Sequence, residues 1–358
     1  TRMETGEPYL INIDNCNAAL PEEQKKLGLE IKQSNLCSEI TLPTNEERTA
    51  VCCLSSVNLE YFDEWSKVDT FIPDLITMLD NVLQNFIDGV AGQSGYSKAA
   101  YSAMRERSVG LGAMGFHSYL QKNNIAFESM YASSFNNKAF SYIKDRASAT
   151  TRKLAEERGE APDMKGSGKR NAHLLAIAPN ASSSIICGGT SPSIEPNRAN
   201  VYTHKTLTGS FKVKNKYLDD LLLELVPSKK KRDEIWKDIA AHEGSVQHLD
   251  ILSDEQKEMF KTAPEINQIW IVEHAAMRQK YVCQSQSVNL FFKTPSIEAD
   301  QETHDVFLQY LNDVHWAGIH KLKSLYYLRS NAARNTENVN IKIPKINLEE
   351  EGCLSCEG

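Results

Sequence analysis

The sequence predicts an α/β fold built around a parallel or mixed sheet. Two observations carry that expectation. In the last third, helical and strand-like runs alternate: 266–280 helical, 287–292 strand-like, 303–321 helical, 324–328 strand-like. This order is the signature of β/α units. Upstream, Ile72, Leu75, Ile76, Leu79, Leu83, Phe86 and Ile87 recur at helical spacing, with Pro73 in the first turn. Such an amphipathic helix covers one face of a sheet.

From the start of the chain, residues 7–14 read as a strand and 21–29 as a loop or short helix. Residues 35–42 and 49–54 are both β-prone and flank Pro43-Thr44-Asn45, a turn signal. They read as a hairpin-like finger that brings Cys37 near Cys52. Residues 101–120 read as helix interrupted by glycines. Residues 137–158 form a long helix stopped by Gly159-Glu160-Ala161-Pro162. Residues 173–178 are strand-like, and 179–196 form a loop rich in Ser, Gly and Pro. A helix follows at 217–225, and the capping box Ser253-Asp254-Glu255-Gln256 opens another. From 331 onward the chain is polar with few apolar anchors, the composition of a mobile tail. The expected division is a folded body over 1–330 and a tail over 331–358. No internal repeat is visible.

Composition narrows the function. The 358 residues are 41% hydrophobic and 24% charged, enough to bury a sizeable core. A net charge of -7 argues against coating nucleic acid or an anionic membrane. No apolar run spans a bilayer and no leader pattern opens the chain, so the expected location is cytoplasmic. Eight cysteines are too dispersed for a secreted disulfide scaffold. In such a chain they are buried small residues, ligands or catalysts.

The stretch Ser34-Asn35-Leu36-Cys37-Ser38-Glu39-Ile40 sets an amide, a thiol and a carboxylate at alternate positions. Extended, it would present Asn35, Cys37 and Glu39 on one face. Other motifs have plainer readings. Gly110-Leu111-Gly112-Ala113-Met114-Gly115 is a literal GxGxxG, but a helical run precedes it where a dinucleotide fold needs a strand. Glycines for close packing are the better reading. Lys229-Lys230-Lys231-Arg232 reads as a solvated loop in an acidic chain. Cys353-Leu354-Ser355-Cys356 lacks two further zinc ligands nearby, so a redox dithiol is favoured and no metal site is expected. Tyr326-Tyr327 would face opposite ways on a regular strand and reads as two core aromatics. Pro179-Asn180-Ala181-Ser182-Ser183-Ser184 follows a strand and suits either a phosphate or an ordinary polar turn.

Together these pieces resemble the large, catalytic subunit of class I ribonucleoside-diphosphate reductase. The resemblance runs along nearly the whole chain. It includes Met3-Glu4-Thr5-Gly6-Glu7-Pro8-Tyr9, Asp14-Asn15-Cys16-Asn17, the stretch around Cys37, Ala50-Val51-Cys52-Cys53-Leu54-Ser55 and Leu325-Tyr326-Tyr327-Leu328-Arg329. It implies the C-terminal half of a ten-stranded α/β barrel with a finger loop, acting in deoxyribonucleotide synthesis. It also implies roles. Cys37 is similar to the thiyl-radical cysteine, Glu39 to the base for the ribose 3′-hydroxyl, and Asn35 to the amide that holds the hydroxyl region. Cys52 is similar to one of two reducing thiols. Tyr326 and Tyr327 look like the radical relay, Asn180, Ala181, Ser182, Ser183 and Ser184 like the substrate diphosphate loop, and Cys353 and Cys356 like a swinging dithiol. About 23 residues of tail after Ser330 would span roughly 25 Å as coil and at most about 75 Å stretched, enough to visit an interior site.

The resemblance also implies partners. A small subunit would supply the radical from its metal/tyrosyl cofactor, with no cofactor bound by this chain itself. Thioredoxin or glutaredoxin would reduce the tail. The family's subunit is about twice this length. Its regulatory and effector-binding regions, its first barrel strands and the partner thiol of Cys52 belong to the front half. A second polypeptide carrying that half is therefore expected, as a split gene would produce; a sequence that is a fragment is the plainer alternative. An adenosylcobalamin-dependent relative and a non-catalytic half-subunit stay open as alternatives; the tyrosine pair favours the first reading over the cobalamin one.

Overall fold

The structure is a computed structural model that describes residues 2–206 and 209–330, without the side chains of 204–206 and 209–210. Its strands are β1 (Leu10–Ile11), β2 (Cys53–Asn58), β3 (Val109–Met114), β4 (Val201–Thr206), β5 (Gly209–Lys214), β6 (Leu290–Phe292), β7 (Ser324–Leu325) and β8 (Leu328–Ser330). β2 and β3 run parallel, from Cys53 opposite Val109 to Asn58 opposite Met114. Extended residues continue the parallel order, with Leu111 bridging Leu175 and Ile177 bridging Gln286. β6 pairs in parallel with β8, and β1 closes antiparallel on β7. The result is a mostly parallel half-barrel.

Helices pack around the sheet. Phe71–Gly89 buries Ile72, Ile76, Leu79 and Leu83, the stripe its spacing predicts. Burying each such side chain contributes roughly 1.5–3 kcal/mol. The same helix buries Asp80, whose carboxylate takes hydrogen bonds from Arg107 at 3.0 Å and Arg158 at 3.0 Å. That buried charge is paired, as it must be. Met130–Arg158, Gln268–Gln279 and Gln301–Lys321 complete the shell. A separate layer joins the β4–β5 hairpin to helices Lys216–Leu225 and Lys229–Ala241 through Leu218, Leu222, Trp236 and Ile239. The capping box at Ser253 forms as its sequence predicts.

Several local expectations are corrected. Residues 101–120 are not one helix: Ser97–Glu106 ends at Arg107 (φ 47°), and β3 follows, buried throughout. The glycines let that strand be approached closely. A Cβ at Gly112 would lie 2.5 Å from the Ala176 carbonyl oxygen. The basic run at 229–232 opens a helix, capped by Ser228, whose hydroxyl accepts from the Lys231 amide. Residues 7–14 give only the two-residue β1 before Ile13–Ala18 turns helical, because the Asn12 side chain caps it. The hairpin finger reduces to one antiparallel bridge, Asn45 to Arg48.

Candidate active site

The stretch around Cys37 is a turn, not a strand. The Ser38 amide donates to the Asn35 carbonyl at 3.1 Å, and Ser38 takes φ 62°. The Asn35 side-chain oxygen accepts from the Ile40 amide at 3.0 Å. Local hydrogen bonding of this Asn thus outcompetes extension. The turn, not the pleat, brings the Asn35 side chain into hydrogen bonding with Glu39.

Partners from distant elements complete the cluster. The Ser287 hydroxyl donates to the Cys37 carbonyl at 2.5 Å and to Glu39 Oε2 at 3.2 Å. Glu39 is 2% exposed. Burial pushes its carboxyl above the ordinary carboxylate value, while hydrogen bonds from Asn35, backbone and Ser287 partly offset this. A base with a raised pKa is better matched to proton transfer near neutral pH.

Tyr326 and Tyr327 fall between β7 and β8, in neither strand. That break overturns the expectation that they face opposite ways, and their ring centroids lie 4.4 Å apart. The Tyr326 amide donates to the Val288 carbonyl, and the Tyr327 amide to Asn289 Oδ1 at 3.0 Å. The Tyr326 hydroxyl lies 3.6 Å from Cys37 Sγ. Burial, then the Cys37 contact, pushes that phenol above its usual pKa. The Arg329 guanidinium covers the Tyr327 ring at 3.9 Å.

Gln284 ties Cys52 to Thr41, two residues beyond Glu39. The Gln284 amide group donates to Cys52 Sγ at 3.4 Å and to the Val109 carbonyl at 3.1 Å, and its oxygen accepts from the Thr41 amide at 3.3 Å. Burial pushes the Cys52 thiol well up, against the Gln284 hydrogen bond, so it stays protonated at neutral pH. All cysteines among the described residues are free thiols.

A cavity of about 580 Å³ opens beside the phenols, lined by Ala181, Ser184, Glu195, Asn289, Tyr326 and Arg329. The expected phosphate loop is the first turn of the short helix Ala181–Ile186. Ser182 and Ser183 are exposed and Ser184 is buried. Asn180 takes φ 54° and spends its side-chain amide on the Ala113 and Ala178 carbonyls. Glu195 is 3% exposed, and burial pushes its carboxyl up to about 7, against Arg198, Asn289 and Arg329. Cys353 and Cys356 lie outside the described residues.

Gln284, Ser287, Glu195 and Tyr9 were not singled out from the sequence. Gln284-Ser285-Gln286-Ser287 carried a usable clue. A polar run entering the apolar Leu290-Phe291-Phe292 must find partners once buried. Among the described residues, Asp238, His242 and His248 form the one group with metal-type donors, all within 4.8 Å of one another. They are exposed and share no member with the thiol cluster.

A family model described as "Ribonucleotide reductase, barrel domain" matches residues 1–169 and 162–328. The "Ribonucleoside-diphosphate reductase large subunit" of Invertebrate iridescent virus 3 is 48% identical over 360 residues, covering 100% of this chain and 55% of that protein. The "Putative ribonucleoside-diphosphate reductase large subunit" of Frog virus 3 (isolate Goorha) is 46% identical, covering 100% of this chain and 61% of the relative. The chain thus spans little more than half the length of these relatives. The solved Actinobacillus ureae class Id ribonucleotide reductase alpha subunit superposes with a TM-score of 0.82 at 40% identity, covering 94% of this chain and 60% of that one. The half-barrel, its turn-borne thiol and these matches lead to one conclusion: the chain belongs to the ribonucleotide reductase barrel-domain family.

Proposed function

We propose that this chain is the catalytic, C-terminal part of a ribonucleoside-diphosphate reductase large subunit. The observation that carries the reading is the 3.6 Å contact between the Tyr326 hydroxyl and Cys37 Sγ, beside a buried carboxylate. A phenoxyl at Tyr326 takes the hydrogen atom of Cys37, leaving a thiyl radical. The thiyl takes the 3′ hydrogen of a ribonucleoside diphosphate, and Glu39 takes the 3′-hydroxyl proton. The 2′ carbon–oxygen bond breaks and the hydroxyl leaves as water, with a proton from a thiol. Cys52, held protonated by burial, supplies that proton. A second thiol gives a hydrogen atom to the 2′ carbon, forming the new carbon–hydrogen bond. It then closes to a disulfide with the Cys52 thiolate, the excess electron reduces the 3′ carbonyl, and Glu39 returns its proton to the 3′ oxygen. Cys37 returns its hydrogen to the 3′ carbon and is a thiyl again. Asn35 holds the hydroxyl region, and residues 180–184 hold the diphosphate.

The other components follow from this chemistry. A small subunit supplies the radical to Tyr327, and Cys353 with Cys356 reopen the disulfide by exchange before thioredoxin or glutaredoxin reduces them. The front half of such a subunit supplies the second thiol and the effector sites. An open edge supports that last point. β2 pairs only with β3 among the described residues, and Leu54 on it is 42% exposed. An unpaired apolar edge calls for a covering strand. No helix among the described residues is long and apolar enough to cross a membrane.

Co-expression tests the reading. With a front-half chain and a radical-bearing small subunit, deoxyribonucleoside diphosphate should form. Monomeric, active protein without the front half would contradict it.

A further inference from the structure

We propose that Tyr9 is a third redox-active phenol of the relay, exchanging a hydrogen atom with Tyr327. The inference rests on the radical reading above. Its basis is geometric. The Tyr9 ring centroid lies 4.6 Å from that of Tyr326 and 4.8 Å from that of Tyr327, and those two lie 4.4 Å apart. The three rings therefore form a nearly equilateral triangle. The sheet builds it: β1 and β7 pair Leu10 with Leu325 and Ile11 with Ser324, and one further step of that register sets Tyr9 opposite Tyr326.

The hydroxyls are arranged for exchange as well as for packing. Tyr9 donates to Glu7 Oε1 at 3.0 Å, and its oxygen also faces the Tyr327 hydroxyl. A phenylalanine would fill the same partly buried space without that second contact. Tyr326 is the phenol whose hydroxyl reaches the Cys37 sulfur, at 3.6 Å. A radical on Tyr9 is therefore one step removed from the thiol, a resting place off the direct line.

The step balances without any outside reagent. The Tyr9 oxygen–hydrogen bond breaks and the Tyr327 oxygen–hydrogen bond forms. One electron and one proton move together from Tyr9 to the Tyr327 phenoxyl. Tyr9 becomes the phenoxyl and Tyr327 a phenol, and the reverse step restores the relay. All the groups are phenols, so the exchange is close to thermoneutral.

The test replaces single tyrosines with 3-aminotyrosine, which is easier to oxidise and so traps the radical. It is done in the full complex with the front half, small subunit, substrate and effector, and read by electron paramagnetic resonance. The expected result is an aminotyrosyl signal from position 9, as from 326 and 327, with matching loss of the starting radical. Trapping at 326 and 327 but not at 9 overturns the inference and leaves the relay intact. Trapping at none of the three overturns the relay reading and this inference with it. Equal trapping at Tyr131, a 78% exposed phenol outside the ring cluster, also overturns it, because it would show unselective oxidation.

Discussion

The Tyr326 hydroxyl and the Cys37 sulfur lie 3.6 Å apart although 289 positions separate them in the chain. Two features produce that contact. The break between β7 and β8 turns the phenol inward, and the turn at Ser38 lifts the thiol to meet it. Neither element alone would make a reactive pair.

Replacing Tyr326 with Phe keeps the ring and removes the hydroxyl. In the reconstituted complex, turnover should fall by at least about 100-fold, the loss of an obligate step, while substrate affinity stays within about twofold. Steady-state rates and a binding isotherm measure the two. Full turnover in the Phe variant would favour an adenosylcobalamin-type enzyme, which needs no phenol relay.

Gln284 is fully buried, and its side chain makes three hydrogen bonds, to Thr41, Val109 and Cys52. Gln284→Leu leaves the Thr41 amide and the Val109 carbonyl without these partners. The expected cost is about 2–4 kcal/mol of unfolding free energy. Urea denaturation reads it. A loss below about 0.5 kcal/mol would show that Gln284 does not organise the site.

Glu195 gives a pH signature. Its carboxyl is raised from 4.5 to about 7 in the folded chain. Between those values the folded state binds more protons than the unfolded one. Stability from this group is therefore present at low pH and lost as pH rises through about 7. Glu195→Gln should match wild type near pH 4.5 and exceed it above pH 7, by up to about 3 kcal/mol. Melting temperatures at pH 5 and pH 8 test this, and an unchanged difference between the two would contradict it.

Gly112→Ala tests the packing reading of the glycine motif. The new methyl would meet the Ala176 carbonyl oxygen at 2.5 Å and the Ile177 Cα at 3.2 Å. Backbone cannot move aside cheaply there, so a loss of about 1–3 kcal/mol is expected on thermal unfolding. The same substitution would be harmless in an open loop.

Much of this was legible in the sequence, for identifiable reasons. The stripe Ile72, Ile76, Leu79, Leu83 has one period and one solution, so the helix Phe71–Gly89 was readable. The box at Ser253 was equally local. β3 was not, because Val109–Met114 has no alternation and is buried on both faces, which looks the same as a helix interior. The finger was misread because the hydrogen bonds of Asn35 decide its shape, and propensity does not register them. Cys37, Glu39 and the tyrosines could be named from motif order, yet their meeting depends on Ser287 and on a strand break. Tyr9 shows no role in the sequence because only the β1–β7 register sets it beside the pair.

In the proposed reaction the sulfur of Cys37 takes the 3′ hydrogen of the ribose. The most direct measurement is deoxyribonucleoside diphosphate formation by the reconstituted complex carrying Cys37→Ser. No product above background, with substrate binding retained, is the predicted result. Product formed at a rate near wild type would contradict it.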